Sequence, residues 1–353
     1  MSAIREFGSE FDWNANDAFV RAGSHQLQLD TAKKFRSGRD AMKAVATFAK
    51  DRYHRVLLPA LCCESMVSPF TMNGLTPVFY KLHSDYRANA LDVKQKLTED
   101  TILVYGSYFG IDPFDQETLA FLHRLFPHAL FLEDRTQDIL CVRPKEEFTP
   151  DVTIASIRKW IPVPDGGLLW GNVQAQTLSD DTFATLRKEA MTLKSQYLQT
   201  GDQAVKDQFR HMLGDASECL DKSPVPHGIT DASVALLNDL DFAEIYAHRQ
   251  ANAKALMAAL TPDQAHLRLI TDTPEKSTLY FPILVKDQSA VQSKLASLGI
   301  YCPVIWPVPR EALGVCQVAE FTAEHMLGVP CDQRYTPEDM AYIGREIMRI
   351  VYE

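Results

Sequence analysis

From Val56 to Trp170 the sequence alternates short apolar runs with segments of helical spacing. Val56 to Leu58 is a buried run stopped by Pro59. A helix is expected from Glu64 to about Met72, closed by Gly74, and Pro77 to Tyr80 starts a second run. A strand, a helix and a strand within about 25 residues form a right-handed parallel βαβ unit. The pattern continues through Thr101–Tyr105, a helix over 116–126, Ala129–Leu132, Val152–Ala155 and Leu168–Trp170. Such alternation predicts an α/β domain whose sheet is mostly parallel and flanked by helices. Ligands in such sheets sit beyond the carboxyl ends of the strands. That rule selects the segments following Leu58, Tyr105, Leu132 and Ala155.

Those segments carry chemistry. ALFL is followed at once by Glu133 and Asp134. A carboxylate at the end of a buried strand is costly unless paired. Asp134 is therefore a candidate partner for a protonated ring nitrogen, and Gln137 can reach the same ligand. A helix cap or an ion pair with Arg135 accounts for the acid equally well. After Val152–Ala155 come Ser156, a possible phosphate donor, and the lone internal Lys159. The pair Gly166-Gly167 lets this loop fold tightly. A lysine there is placed as an amine for Schiff-base chemistry, although a surface lysine in a hairpin is the commoner case. Upstream, Ser37, Gly38, Arg39 and Asp40 precede apolar Met42, Val45, Ala46 and Phe48 at helical spacing. This reads as a capped helix start, and as a site where free N–H groups and the helix dipole hold an anion.

The 353 residues suffice for two domains. The boundary is expected near residue 235: a large domain with an N-terminal arm over 1–235, and a smaller α+β domain over 236–353. Residues 1 to 30 look like an arm that packs on a neighbour. Asp180 to Asp221 reads as a solvated helix pair covering one side of the sheet, and Ser233 to Leu260 as one long bridging helix. Strands are expected in TLYFPILVKD and IYCPVIWP, with the helix SAVQSKLASLG between them. The loop GVPCDQRYTPED precedes an amphipathic last helix with Met340, Ile343, Ile347 and Val351 on one face. Arg334 is a candidate for gripping a carboxylate in a bidentate pair, or for a salt bridge with Asp332 or Glu338. Trp306 and Tyr301 line a pocket entrance or belong to the core.

With 46 acids against 36 bases, the net charge of −10 argues against nucleic acid or an anionic membrane as partner. It leaves room for a local basic pocket. The seven cysteines include no CxxC, so neither a disulfide framework nor a metal site is expected. No apolar run is long enough to span a membrane, and MSAIREFGSEFDW lacks the apolar region of a secretory signal. The expected setting is the cytoplasm.

In one order, the chain carries SGRDA before a helix, a strand ending in Pro59, EDxxQ at a strand end, and SxxKWxPVPDGG. It thereby resembles the fold-type-I pyridoxal-phosphate (PLP) enzymes. More narrowly it is similar to the DegT/DnrJ/EryC1/StrS sugar and antibiotic aminotransferases, from about residue 35 to the last helix. The resemblance implies PLP bound to Lys159, with Asp134 at the pyridine nitrogen and Gln137 near the phenolic oxygen. By the same resemblance, Gly38, Arg39 and Ser156 would hold the phosphate, and Lys159 would carry the proton. It also implies an amino-acid donor, a keto acceptor (a sugar or small biosynthetic intermediate), and a homodimer with the active site at the interface. The sequence departs from the family in two places. Ala60-Leu61-Cys62-Cys63 stands where an aromatic usually stacks on the ring, which puts Cys63 there, or Tyr108 or Phe109 in its stead. Arg39 replaces the usual threonine of the phosphate loop. Tyr108 and Trp306 are candidates for substrate contact. Elimination, decarboxylation or condensation on the same fold is the first alternative. A non-catalytic binding or regulatory relative is the second.

Overall fold

Val56, Leu57, Leu58, Ile102, Leu103 and Val104 have no solvent exposure. Strands apolar on both faces need cover on both faces, which places them inside a parallel sheet. The computed structural model describes residues 4–14, 19, 29–141, 148–276 and 279–353. Its elements run β1 (Phe7–Gly8), β2 (Lys33–Phe35), α1 (Gly38–Ala49), β3 (Arg55–Pro59), α2 (Glu64–Thr71), β4 (Thr76–Tyr80), α3 (Ala90–Lys96), β5 (Thr101–Tyr105), α4 (Gln116–Leu125), β6 (Leu130–Asp134), β7 (Val152–Ala155) and β8 (Gly167–Gly171). Then follow α5 (Thr182–Thr200), α6 (Gln203–Cys219), α7 (Asp231–Asn238), α8 (Phe242–Ala258), β9 (Leu267–Leu269), β10 (Phe281–Val285), α9 (Gln288–Ser297), β11 (Ile300–Tyr301), α10 (Gln317–His325), β12 (Met326–Val329) and α11 (Pro337–Val351).

The main sheet has seven strands in the order β2-β8-β7-β6-β5-β3-β4. The five from β4 to β7 are mutually parallel, and β8 and β2 are antiparallel additions at one edge. The carboxyl ends Pro59, Tyr105, Asp134 and Ala155 therefore share one rim. One apolar cluster includes α1, α2 and the strands; another surrounds Ala155, Ile157, Trp160 and Leu168. A second sheet, β12-β10-β9, is antiparallel. Its core joins β10 to Leu256, Leu295, Ile343 and Ile347 from α8, α9 and α11. No described helix is long and apolar enough to cross a membrane.

Several sequence expectations need correction. The helix over Ser233–Leu260 is two helices. The Asp241 carboxylate accepts the Glu244 N–H and starts α8 afresh, while buried Leu240 anchors the break. The strand IYCPVIWP shrinks to β11, because Pro303 and Pro307 carry no N–H for a ladder. The loop before the last helix begins later than expected, since Leu327-Gly328-Val329 lies in β12. The pair α5 and α6 packs chiefly on itself, through Phe183, Ala216 and Leu220 and through Ala190, Tyr197 and Phe209, rather than over the sheet. Residues 4–14 of the expected arm lie against their own chain: β1 pairs with β11, and Phe7 is buried in the second core. The rest of the arm, apart from residues 19, 29 and 30, is outside the described residues.

Candidate active site

The rim of the main sheet meets the start of α1. Ser37 caps that helix, its hydroxyl accepting the Asp40 N–H. The N–H groups of Gly38 and Arg39, in the first turn, have no partner within the helix. Both residues line a cleft that also holds Ser156, Lys159 and Asp134. Close approach makes this possible. A β-carbon on Gly38 would stand 2.9 Å from the β-carbon of Ser156, and one on Gly167 would stand 2.1 Å from the Ser37 carbonyl oxygen. The glycine pair thus brings β8 against the helix start, and the Gly166 N–H is bonded to the Arg36 carbonyl at 2.8 Å. Behind the cap, Arg36 and Asp40 form a buried bidentate pair at 2.9 and 3.0 Å.

Lys159 ends a single 3-10 turn, Ile157–Lys159, directly after β7. No hydrogen bond to its Nζ is found among the described residues. The loop around it is fixed from three directions. Trp160 is fully buried and donates from Nε1 to the Thr136 carbonyl at 2.7 Å. The Trp160 carbonyl accepts from Arg249 at 2.8 Å and from Gln333 at 3.0 Å. The Ser156 N–H donates to the Thr136 hydroxyl at 3.0 Å.

Asp134 ends β6, one strand away from β7. Its Oδ1 accepts the Thr136 N–H at 2.8 Å. Burial pushes its carboxyl above the usual range, while the Thr136 bonds and the Lys159 ammonium pull it back. A carboxylate in that condition gains from a cation at its other oxygen. Gln137 is buried and lines the same cleft.

On the far wall, Cys63 sits at the cap position of α2 with its Sγ 2.9 Å from the Ser65 hydroxyl. Tyr108 is presented by a tight turn in which it exchanges two backbone hydrogen bonds of 2.8 Å with Ile111. Phe109 takes a left-handed φ of 53° within it. The Tyr108 hydroxyl donates to the Leu61 carbonyl, and its ring lies 6.3 Å from that of Trp306. Both line the cleft, while Phe109 lies behind Trp306.

The cleft thus gathers Gly38, Arg39, Cys63, Tyr108, Asp134, Gln137, Ser156, Lys159 and Trp306. Arg334 is elsewhere. It forms a bidentate pair with Asp332 at 2.7 and 2.8 Å, and its remaining donors reach the carbonyls of Gly8, Ser9 and Glu10. Sequence reasoning missed Ser107, Thr136 and Arg158, which also line the cleft. Ser107 follows the end of β5, where the strand-end rule already pointed. Arg158 stood beside Lys159 in a loop with few other charges. The Arg39 Nε, the Ser107 Oγ and the Arg158 Nε are buried without a hydrogen-bond partner among the described residues. Unpaired buried groups of this kind are uncommon in folded proteins, and three of them meet at this cleft.

No protein-family model matches the sequence, and no curated protein matches it. Solved structures do. Spr1654 from Streptococcus pneumoniae, in its PLP form, aligns with a TM-score of 0.67 at 16% identity, covering 99% of both chains. PseC of Helicobacter pylori, an aminotransferase involved in the biosynthesis of pseudoaminic acid, gives 0.65 at 13%, covering 99% of this chain and 100% of its own. A DegT DnrJ EryC1 StrS aminotransferase from Brucella abortus gives 0.62 at 15%, covering 92% and 88%. At this identity the likeness establishes a shared fold over the length of the chain.

Proposed function

We propose that the chain is a PLP-dependent aminotransferase of the DegT/DnrJ/EryC1/StrS kind, moving an amino group from an amino-acid donor to a keto acceptor. The observation that carries this reading is the convergence of Lys159, Asp134 and the start of α1 on one cleft. The residues present fit the cofactor. The buried Arg39 Nε and Ser107 Oγ, which lack partners, suit a phosphate; the Nη1 of Arg39 is bonded to Asp221 at 2.6 Å, and the helix start at Gly38 offers its free N–H groups. Gly38, Arg39 and Ser156 would hold the phosphate. Asp134 would face the ring nitrogen with the oxygen that Thr136 does not occupy. Gln137 would lie by the phenolic oxygen and Cys63 at the ring. PLP, when bound, supplies the electron sink for chemistry at the donor's α-carbon.

The protein's own contribution is placement. The lysine loop, tied through Trp160 to Arg249 and Gln333, holds the Lys159 backbone at the rim, with its amine in the cleft. From there it can take and return one proton. Burial makes an unpaired charge on Asp134 costly, so its ionised form would gain from a protonated ring nitrogen beside it. Tyr108 and Trp306 place two aromatic rings 6.3 Å apart along the cleft wall. Arg334, offered by the sequence as a carboxylate grip, would need to leave Asp332 to act as one.

We also propose a cytoplasmic homodimer with its active site at the interface, an acceptor that is a sugar or small biosynthetic intermediate, and a domain division near residue 235. The test of the reaction is direct. Protein loaded with PLP is mixed with single L-amino acids and followed in the visible range. Transamination predicts conversion to the pyridoxamine form by at least one donor, reversed by a keto acid. Yellow protein that no donor converts would favour another reaction on this fold.

A further inference from the structure

Arg36, Arg158 and Arg187 all approach the ring of Phe183, with guanidinium carbons 5.6, 5.7 and 5.8 Å from its centroid. Two of them are neutralised. Arg36 is paired with Asp40. Arg187 is paired with Glu10 at 2.8 Å and donates to the Pro164 carbonyl at 2.9 Å. Arg158 has no ion pair among the described residues, and its buried Nε has no hydrogen-bond partner. Burial and the charge of Arg187 push Arg158 down to about 10, against the pull of Glu10. A sheltered cation left without a counter-charge is costly, and an anion removes most of that cost.

Its position selects the anion. The inner cleft opens into a wider one that runs past Tyr280 and Cys302. Gly38, Arg39 and Ser156 line only the inner cleft. Arg158, Lys159, Gln137 and Trp306 line both. Arg158 thus borders both clefts beside Lys159, where a reacting molecule would pass. The Arg158 guanidinium lies over the Phe183 ring, and its planar set of donors can meet a carboxylate as a fork.

We propose that Arg158 receives the α-carboxylate of the amino-acid donor, at the junction of the two clefts beside Lys159. The inference rests on the reading of Lys159 as the cofactor's anchor. It gives Arg158 the task for which Arg334, held by Asp332, is not free.

The test uses holoenzyme with Arg158→Gln and Arg158→Lys. Two quantities are read: the PLP dissociation constant by absorbance titration, and the conversion rate of bound cofactor by a donor and by the matching amine without the α-carboxylate, such as L-glutamate and 4-aminobutyrate. Removal of a charge-assisted bidentate contact should cost R158Q roughly 10- to 100-fold in kcat/KM for the donor. It should leave the amine rate and the PLP constant unchanged, and R158K should recover part of the loss. Three outcomes overturn the proposal. A PLP constant weakened by the same factor would make Arg158 a phosphate ligand. Equal losses for donor and amine would make it structural. A wild-type enzyme converted by none of the common L-amino acids would leave it no carboxylate to hold. Failure of the wild-type protein to bind PLP would instead remove the reading beneath it, and the titration shows that separately.

Discussion

The account makes Gly167 the position on which the phosphate cradle depends, and Gly167→Ala is its sharpest mechanical test. The added carbon would stand 2.1 Å from the Ser37 carbonyl oxygen, 2.2 Å from the Ser37 carbonyl carbon and 2.7 Å from the Gly38 nitrogen, against an ordinary contact beginning at 3.4 Å. All three atoms are backbone, so no rotamer change relieves the clash. Either β8 or the start of α1 must move, and Gly167 is fixed in register opposite Phe35 of β2. Overpacking of this kind costs about 1–3 kcal/mol, and backbone obstruction places this case at the upper end. Displacement of a binding residue by about 1 Å can cost roughly 100-fold in function. The measurements are the urea midpoint and the PLP dissociation constant. Gly214→Ala is the control, because Gly214 lies in α6 with nothing within 4 Å of an added carbon. That change should stabilise by about 0.5–1 kcal/mol through helix propensity and leave PLP binding alone. A G167A protein within about 0.5 kcal/mol of wild type and with unchanged PLP affinity would refute the reasoning.

Other consequences follow from the same geometry. Asp40→Asn strands the buried Arg36 guanidinium, which Asp40 holds at 2.9 and 3.0 Å; breaking a buried pair should cost about 3–5 kcal/mol in urea unfolding, and a loss under about 1 kcal/mol would show that the pair is not needed. Lys194, buried and bonded to the Glu10 carbonyl, is depressed from 10.5 to about 8, first by burial and then by Arg334. Between those values the unfolded chain binds the extra proton, so stability from this group rises with pH through that window. The gain should be on the order of 2–3 kcal/mol between pH 8 and 10. Urea unfolding across that range should show it in wild type and not in Lys194→Met; parallel pH profiles would remove Lys194 as the cause.

Much of the fold was legible because its causes are local. A run such as Thr101–Tyr105, short, β-branched and mostly apolar, reads as an inner strand, and its boundaries match the structure. Asp134 and Lys159 stood out because charge at the end of such a run needs a reason. What escaped was set at long range or by weak local signals. The strand β2, whose sequence is KKF, looks polar because Lys33 and Lys34 are exposed or only partly covered at the sheet's edge, and Phe35 alone is buried. The break before α8 turns on one capping aspartate between two apolar stretches. Whether Arg334 is free depends on Asp332 and on carbonyls of residues 8–10, more than three hundred positions away. Arg158 was passed over for the converse reason: its neighbours in space bind other partners, and only the folded chain shows that it is left without one.

The central claim is that Lys159 carries the cofactor in a cleft that ends at Asp134. The most direct measurement is borohydride reduction of PLP-loaded protein followed by peptide mass analysis, with Lys159→Ala alongside. The account predicts a yellow wild-type protein whose reduced pyridoxyl group is found on Lys159, and a variant that shows neither the colour nor the adduct. A stable adduct on a different lysine, or a wild-type protein that stays colourless in excess PLP, would contradict it.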